Sequence, residues 1–266
     1  MPSHPLLAAL LLSLIPAYLA AQDPFEIQVY EYETAPKGKW DLEAHTNFIF
    51  SGVKTPEGSV APTHHQFHHT YELTRGITED FELAGYLVLS RRTGVNSVLE
   101  YGGWRVRPRY KIPEKLNLPV KLSFAAEVGF PRKQYEDNSI TLELRPIVEK
   151  NIGKWQFDFN PTISRALRGP GSGEGFAFEP AVRVAFKTSS KLDLTAEYYG
   201  GTGPFRHFLP VHEQIHQFYP GFDYQINENL VFNAGIGFAA TPAGSQLVFK
   251  TRVGWIFGGP KKTPTN

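Results

Sequence analysis

Cysteine is absent from the sequence, which excludes disulfide staples, thiolate metal sites and thiol nucleophiles. The one methionine is Met1. Beyond residue 21 no apolar run approaches the ~20 residues that a membrane-crossing helix requires. Charge of one sign is not in excess either. Lys and Arg number 27 against 26 Asp and Glu, a formal net charge of +1, so bulk electrostatics give no reason to expect a nucleic-acid or strongly acidic partner. No Gly-x-Ser-x-Gly turn occurs. The glycine-rich stretch 170–175 (P-G-S-G-E-G) lacks the Lys-Ser/Thr of a phosphate-binding loop and reads as a flexible loop.

What is present favours strands and turns: 24 Gly, 20 Phe and 12 Tyr in 266 residues. The chain opens on a mostly apolar stretch, residues 6–19, that closes on Leu19-Ala20-Ala21 before polar Gln22-Asp23. Residues 1–21 therefore read as a cleaved export signal, about fourteen apolar residues being short for a span. Residues 22–39 read as an N-terminal periplasmic segment. Within it, 25–31 does not read as a spanning strand, because an even strand count already returns the chain to its starting side. Residues 258–266 form a polar C-terminal tail.

Between these ends the dominant signal is alternation of period two. Residues 99–110 (L-E-Y-G-G-W-R-V-R-P-R-Y) show it most plainly. Trp104, Val106, Pro108 and Tyr110 share one parity, and Arg105, Arg107 and Arg109 share the other. Strand side chains alternate between faces, so one face is apolar and aromatic and the other carries three arginines. Eleven further stretches repeat the design: 40–50, 66–74, 81–89, 118–130, 140–149, 155–164, 176–187, 192–199, 216–226, 230–240 and 246–257. The connections after even-numbered strands are short. Those after odd-numbered strands are mostly longer, 241–245 excepted. About twelve antiparallel strands, with short turns at one end and longer loops at the other, describe an all-β transmembrane up-and-down barrel over residues 40–257.

Alternation alone does not say which face is inside. Three features put the polar face inward. It mixes charges of both signs with Gly, Ala, Ser and Thr, as a wet lumen does. Trp40, Trp104, Tyr110, Trp155, Trp255 and Phe257 crowd the ends of the apolar face, where lipid headgroups attract aromatic rings. Twelve strands also enclose more space than one layer of side chains fills. The lumen, or selectivity, candidates are then Arg105, Arg107, Arg109, Glu82, Glu127, Glu143, Arg145, Glu179, Arg183, Lys250 and Arg252. Glu82 and Glu127 flank the arginine strand and offer it ion pairs. Pro108, Pro146, Pro161, Pro180 and Pro220 fall inside strand runs, where each removes a ladder donor, and they predict bulges near the membrane boundaries.

Two other patterns bear on chemistry. Residues 212–216 spell H-E-Q-I-H, the zinc-protease string, which needs a helix to bring both histidines to one ion. On a strand those positions lie about 13 Å apart, too far to share a metal. His45 and His68 share the lumen face of neighbouring strands and are weak metal candidates. No catalytic group and no cofactor is expected.

The residues K-L-D-L-T-A-E-Y-Y and G-F-D-Y-Q-I-N-E-N-L-V-F-N-A-G-I-G-F, within 191–238, resemble the hairpins of bacterial outer-membrane β-barrel proteins of the uncharacterised, porin-like transporter type. Trp255-Ile256-Phe257 is similar to the aromatic ending of a barrel's last strand that assembly machinery reads, although here a polar tail follows. The resemblance implies an outer-membrane location, contact with outer-membrane lipid and barrel-assembly machinery, and passive passage of small polar solutes. A plugged barrel with a structural or adhesion role through its loops is the alternative. A barrel-type lipid hydrolase is the second.

Overall fold

A computed structural model describes residues 23–92 and 98–259. The expected export signal and most of the expected C-terminal tail lie outside the described residues. Among the described residues twelve strands form: β1 (Trp40–Ser51), β2 (Phe67–Gly76), β3 (Phe81–Arg91), β4 (Glu100–Lys111), β5 (Lys121–Pro131), β6 (Ile140–Ile152), β7 (Trp155–Arg168), β8 (Ala177–Lys187), β9 (Leu192–Gly201), β10 (Ile215–Asn227), β11 (Leu230–Ala239) and β12 (Leu247–Phe257). Each pairs antiparallel with its sequence neighbours. β1 closes on β12 from Trp40↔Phe257 to Ser51↔Leu247, so the sheet is a closed barrel without edges.

The two faces separate as the alternation requires. Trp104, Tyr110, Leu87, Phe124, Trp155, Phe159, Ile236 and Trp255 point outward and are exposed, whereas Arg107, Glu82, Glu127, Asp158, Arg183 and Lys250 are buried within the barrel. An apolar exterior around a charged interior is stable only with lipid outside. The candidate interface residues Trp40, Trp104, Tyr110, Trp155 and Trp255 are all exposed; Phe257 is half-buried, stacked on Trp255 at 4.6 Å.

The strand prolines do not make bulges. Register shifts fall instead at Ile49/Ser51, Val88/Leu89, Ile140/Thr141 and Gln225/Asn227. At Val88/Leu89 the extra residue is accommodated at Gly102-Gly103, where Gly103 has φ 146°, a conformation open to glycine. The prolines stay in register. The β6–β7 ladder keeps one register on either side of a gap where Pro146 and Pro161 face each other. Pro161 then pairs with Pro180 on β8.

Residues 23–39, expected as a segment outside the barrel, thread its lumen. Phe25, Glu26, Ile27, Val29, Tyr30, Tyr32 and Ala35 are all buried. The segment is extended yet joins no strand ladder. At one end Lys39 runs into β1 beside Gly76, and the Gly38 amide donates to the Gly76 carbonyl at 2.9 Å. The fit there is close: a Cβ on Gly76 would sit 2.2 Å from the Pro36 carbonyl oxygen. At the other end Phe25 packs edge-on against His68 (4.4 Å) and Tyr135 of the loop between β5 and β6 (5.5 Å). An extended chain rises about 3.3 Å per residue. Residues 25–35 therefore run from the long-loop end of the barrel down to the short-turn end.

Candidate functional site: the charged lumen and its occupant

The inner wall holds the segment through its backbone. Asn160 on β7 accepts from the Tyr30 amide (2.7 Å) and donates to the Tyr30 carbonyl (3.0 Å), the pair of bonds a neighbouring strand would supply. The Tyr32 amide donates to Glu149 (3.0 Å) and the Ala35 amide to Glu82 (2.5 Å). Lys250 Nζ donates to the Ile27 carbonyl (3.1 Å), and Arg109 to the carbonyls of Glu31 and Glu33 (3.3 and 2.5 Å). An extended chain inside a barrel must satisfy its amides somewhere, and here wall side chains replace a ladder.

Charge matches as well. The segment carries Asp23, Glu26, Glu31 and Glu33. Asp23 and Glu26 meet Arg105, Glu31 lies 3.5 Å from Arg183, and Glu33 lies 2.7 Å from Lys111. Tyr30 sits at the centre of the arginine wall. The guanidinium carbons of Arg145, Arg107 and Arg109 lie 4.1, 4.5 and 5.4 Å from its ring centre. Its hydroxyl lies 2.9 Å from Tyr86 and donates to Glu26. Desolvated cation–π contacts are worth about 2 kcal/mol apiece. Apolar contact completes the seat: Ile27 and Val29 cluster with Ile49, Ala181, Tyr199, Tyr219 and Val248.

The lumen candidates read from the sequence all lie on the inner face, in three neighbourhoods. Arg107 and Arg109 share Glu82 (3.1 and 2.8 Å), Arg107 also reaches Glu72 (2.5 Å), and Arg105 reaches Glu127 (3.2 Å). Arg145 pairs with Glu143 on its own strand at 2.5 Å, and Glu179 accepts from Ser164 at 2.8 Å. Arg183 bridges Asp158 (2.8 Å) and Asp223 (2.5 Å), Lys250 pairs with Glu197, and Arg252 pairs with Glu43 (2.5 Å). Asp158, Asp223, Glu197, Glu43, Glu72 and Asn160 are partners that the sequence reading did not single out. A void between the segment and the wall, lined by Ile27, Val29, Arg183 and Lys250 among others, measures about 10 Å³. That is at most the space for one water molecule. With the segment seated, this part of the lumen admits no solute.

At the long-loop end, outside the strands, Tyr135 donates to Glu100 at 3.3 Å, and burial pushes its phenol above the usual range. Burial likewise raises the Glu136 carboxyl, against the pull of the Asn138 amide groups that it accepts from.

The H-E-Q-I-H string brings no metal ligands together. His212 and Glu213 lie on an exposed 3-10 turn, and His216 lies on β10, bonded to Tyr198 at 2.7 Å. Of the two weak metal candidates, His68 packs on Phe25, whereas His45 faces carboxylates: Glu43 at 3.3 Å and Glu72 at 3.9 Å. On the outward face Thr46 and His69, paired across β1–β2, bond each other at 2.8 Å. Each thereby satisfies the other's polar atom where lipid offers no partner.

No family model matches the chain, and no curated protein matches it. Solved structures do. The COG4313 outer membrane channel from Pseudomonas putida F1 superposes with a TM-score of 0.55 at 12% identity, over 87% of this chain and 100% of that one. The NanC porin does so with a TM-score of 0.54 at 9% identity, over 83% and 100%. The KdgM porin, solved in complex with disordered oligogalacturonate, gives 0.50 at 9% identity, over 82% and 99%. The fold is that of bacterial outer-membrane channel barrels. At these identities the likeness carries the architecture and leaves the lumen chemistry to this chain's own residues.

Proposed function

We propose that the chain is a passive outer-membrane channel for small polar solutes, held closed by its own N-terminal segment. One observation carries this reading. The lumen is filled by a separate stretch of chain bound through reversible contacts, not by the barrel's own side chains. Against that stretch the wall presents small residues, Ala181 beside Ile27 and Val29 and Ala125 beside Tyr30. Withdrawing the segment would leave a passage lined by arginines and carboxylates, and such rings of charge set selectivity in pores. A porin of the same architecture solved with a polar oligosaccharide supports the solute class. The export signal at 1–21 and the assembly-directed ending at Trp255–Phe257 belong to the same proposal, as does lipid around the apolar face.

The second reading is a permanently plugged barrel that acts through its loops. The wall bonds to Tyr30, Tyr32 and Ala35 favour it, because they make the closed state specific. Planar-bilayer recording of the purified full chain separates the two. The channel reading expects resolvable openings and, in the Arg105→Glu variant, a reversal potential shifted toward cation preference. Openings with an unchanged reversal potential remove Arg105 from the pore. A full chain that stays silent while a chain lacking the segment conducts leaves the permanently plugged barrel. Phospholipid hydrolysis by the silent protein would instead favour the lipid-hydrolase alternative.

A further inference from the structure

We propose that Glu26, His45 and Glu72 form a binding site for a divalent first-row transition ion such as Zn²⁺, which fastens the N-terminal segment to the barrel wall. The three come from separate elements: the segment, β1 and β2. One ligand atom of each lies within 4.8 Å of the other two, and all three residues are buried. The histidine supplies nitrogen and the carboxylates oxygen, a donor set suited to Zn²⁺ and its neighbours.

A compact acidic group is no site by itself, and two further observations point to a cation. First, Glu72 Oε2 has no hydrogen-bond partner, although Glu72 is 3% exposed, and His45 Nε2, on a residue 1% exposed, meets a carboxylate oxygen of Glu43 at 3.3 Å. His45 Nε2 and Glu72 Oε2 lie 3.9 Å apart. Buried polar atoms are rarely left so unless something else completes them. Second, the carboxylates are held from behind. Glu72 Oε1 takes Arg107 (2.5 Å) and Thr74 (2.8 Å), which leaves Oε2 facing His45. Glu26 Oε1 accepts from Tyr30. Glu43, whose Oε1 takes Arg252 at 2.5 Å, sets Oε2 3.3 Å from His45. Outer-shell donors that fix one oxygen and aim the other are how metal sites orient their carboxylates.

The competing occupant of the same space is a proton on His45, paired with Glu43 and Glu72. Calorimetric titration of the chelator-treated full chain in detergent with Zn²⁺ distinguishes them. Expected is saturable binding of one equivalent that is lost in His45→Asn and in Glu26→Gln, each shown to be folded by heat-modifiable gel migration. Glu26→Gln leaves every barrel strand untouched, so it keeps the test valid should His45→Asn fail to fold. Glu213→Gln, in the exposed H-E-Q-I-H string, is expected to bind as the unsubstituted chain does. Absence of saturable binding in the unsubstituted chain, full affinity in a folded Glu26→Gln or His45→Asn variant, or loss of binding in Glu213→Gln overturns the proposal.

Discussion

A chain lacking residues 23–37 conducts steadily in a planar bilayer, whereas the intact chain spends most of its time closed. The expectation follows from what the segment does for the lumen. It fills the space that twelve strands leave around their axis. It also supplies the partners of Asn160, Glu149, Glu82 and Lys250 by offering them backbone groups. Hydrogen bonds to charged groups contribute roughly 1.5–3 kcal/mol each. A bias of about 5.5 kcal/mol moves a two-state equilibrium from 1:99 to 99:1. Two or three of these contacts thus suffice to keep the intact channel shut, and deleting all of them removes the bias. The barrel itself closes through β1–β12 without help from residues 23–37, so the shortened chain keeps its heat-modifiable migration. A folded, silent deletion variant would show that the wall collapses on itself, and the segment would then be no gate.

Arg107→Met lowers stability by about 3–5 kcal/mol, the usual cost of removing one partner from a buried ion cluster. Arg107 lies between Glu72 and Glu82 and beneath the ring of Tyr30. Its loss leaves two carboxylates facing each other in a lumen from which the segment has excluded water, and it frees the ring that centres the segment. Methionine keeps the volume and removes the charge. Lys111→Met is the comparison. Lys111 pairs with the exposed carboxylate of Glu33, and such pairs contribute about 0–1 kcal/mol. Urea unfolding in detergent, followed by gel migration and tryptophan emission, reads both. Equal effects of the two substitutions would mean that the lumen is wet around Arg107.

The strands were legible because a surface between lipid and a polar lumen imposes period two on the residues that form it. Trp104 to Tyr110 carries that period without a break, and β4 lies where it says. The inward direction of Arg105, Arg107 and Arg109 followed from the same period, but their partners did not all follow. Glu82 is the cross-strand neighbour of Arg109 and could be read from adjacency. Glu72 lies two strands away from Arg107, and Asp223 two strands away from Arg183, so only the curvature of the closed barrel brings them within reach. The strand prolines predict bulges that the register does not show. Pro146 and Pro161 sit opposite each other with the register unchanged on both sides.

The segment in the lumen was the main feature not legible. Residues 22–39 read as a periplasmic segment, part of which could pair as a short strand, with Phe25, Ile27 and Val29 on one parity. Its true partners are side chains up to 130 residues away, such as Asn160 for Tyr30, and no local pattern records that. One signal was available. Asp23, Glu26, Glu31 and Glu33 form an acidic run beside a barrel whose inner face carries the arginines. The metal proposal shows the same limit. His45 stood out by residue type, whereas Glu26 and Glu72 join it only once the segment is threaded and β1 is paired with β2.

Threading of residues 23–39 through the lumen is the central structural claim, and the absence of native cysteine makes it directly measurable. Val29→Cys, at a position 2% exposed and inside the barrel, is treated in intact outer membranes with a bulky membrane-impermeant maleimide, beside Val98→Cys, at a loop position 81% exposed. The account predicts that Cys at 98 labels promptly, while Cys at 29 stays protected until the barrel is heat-denatured. Prompt labelling of Cys at 29 in the native membrane would contradict it.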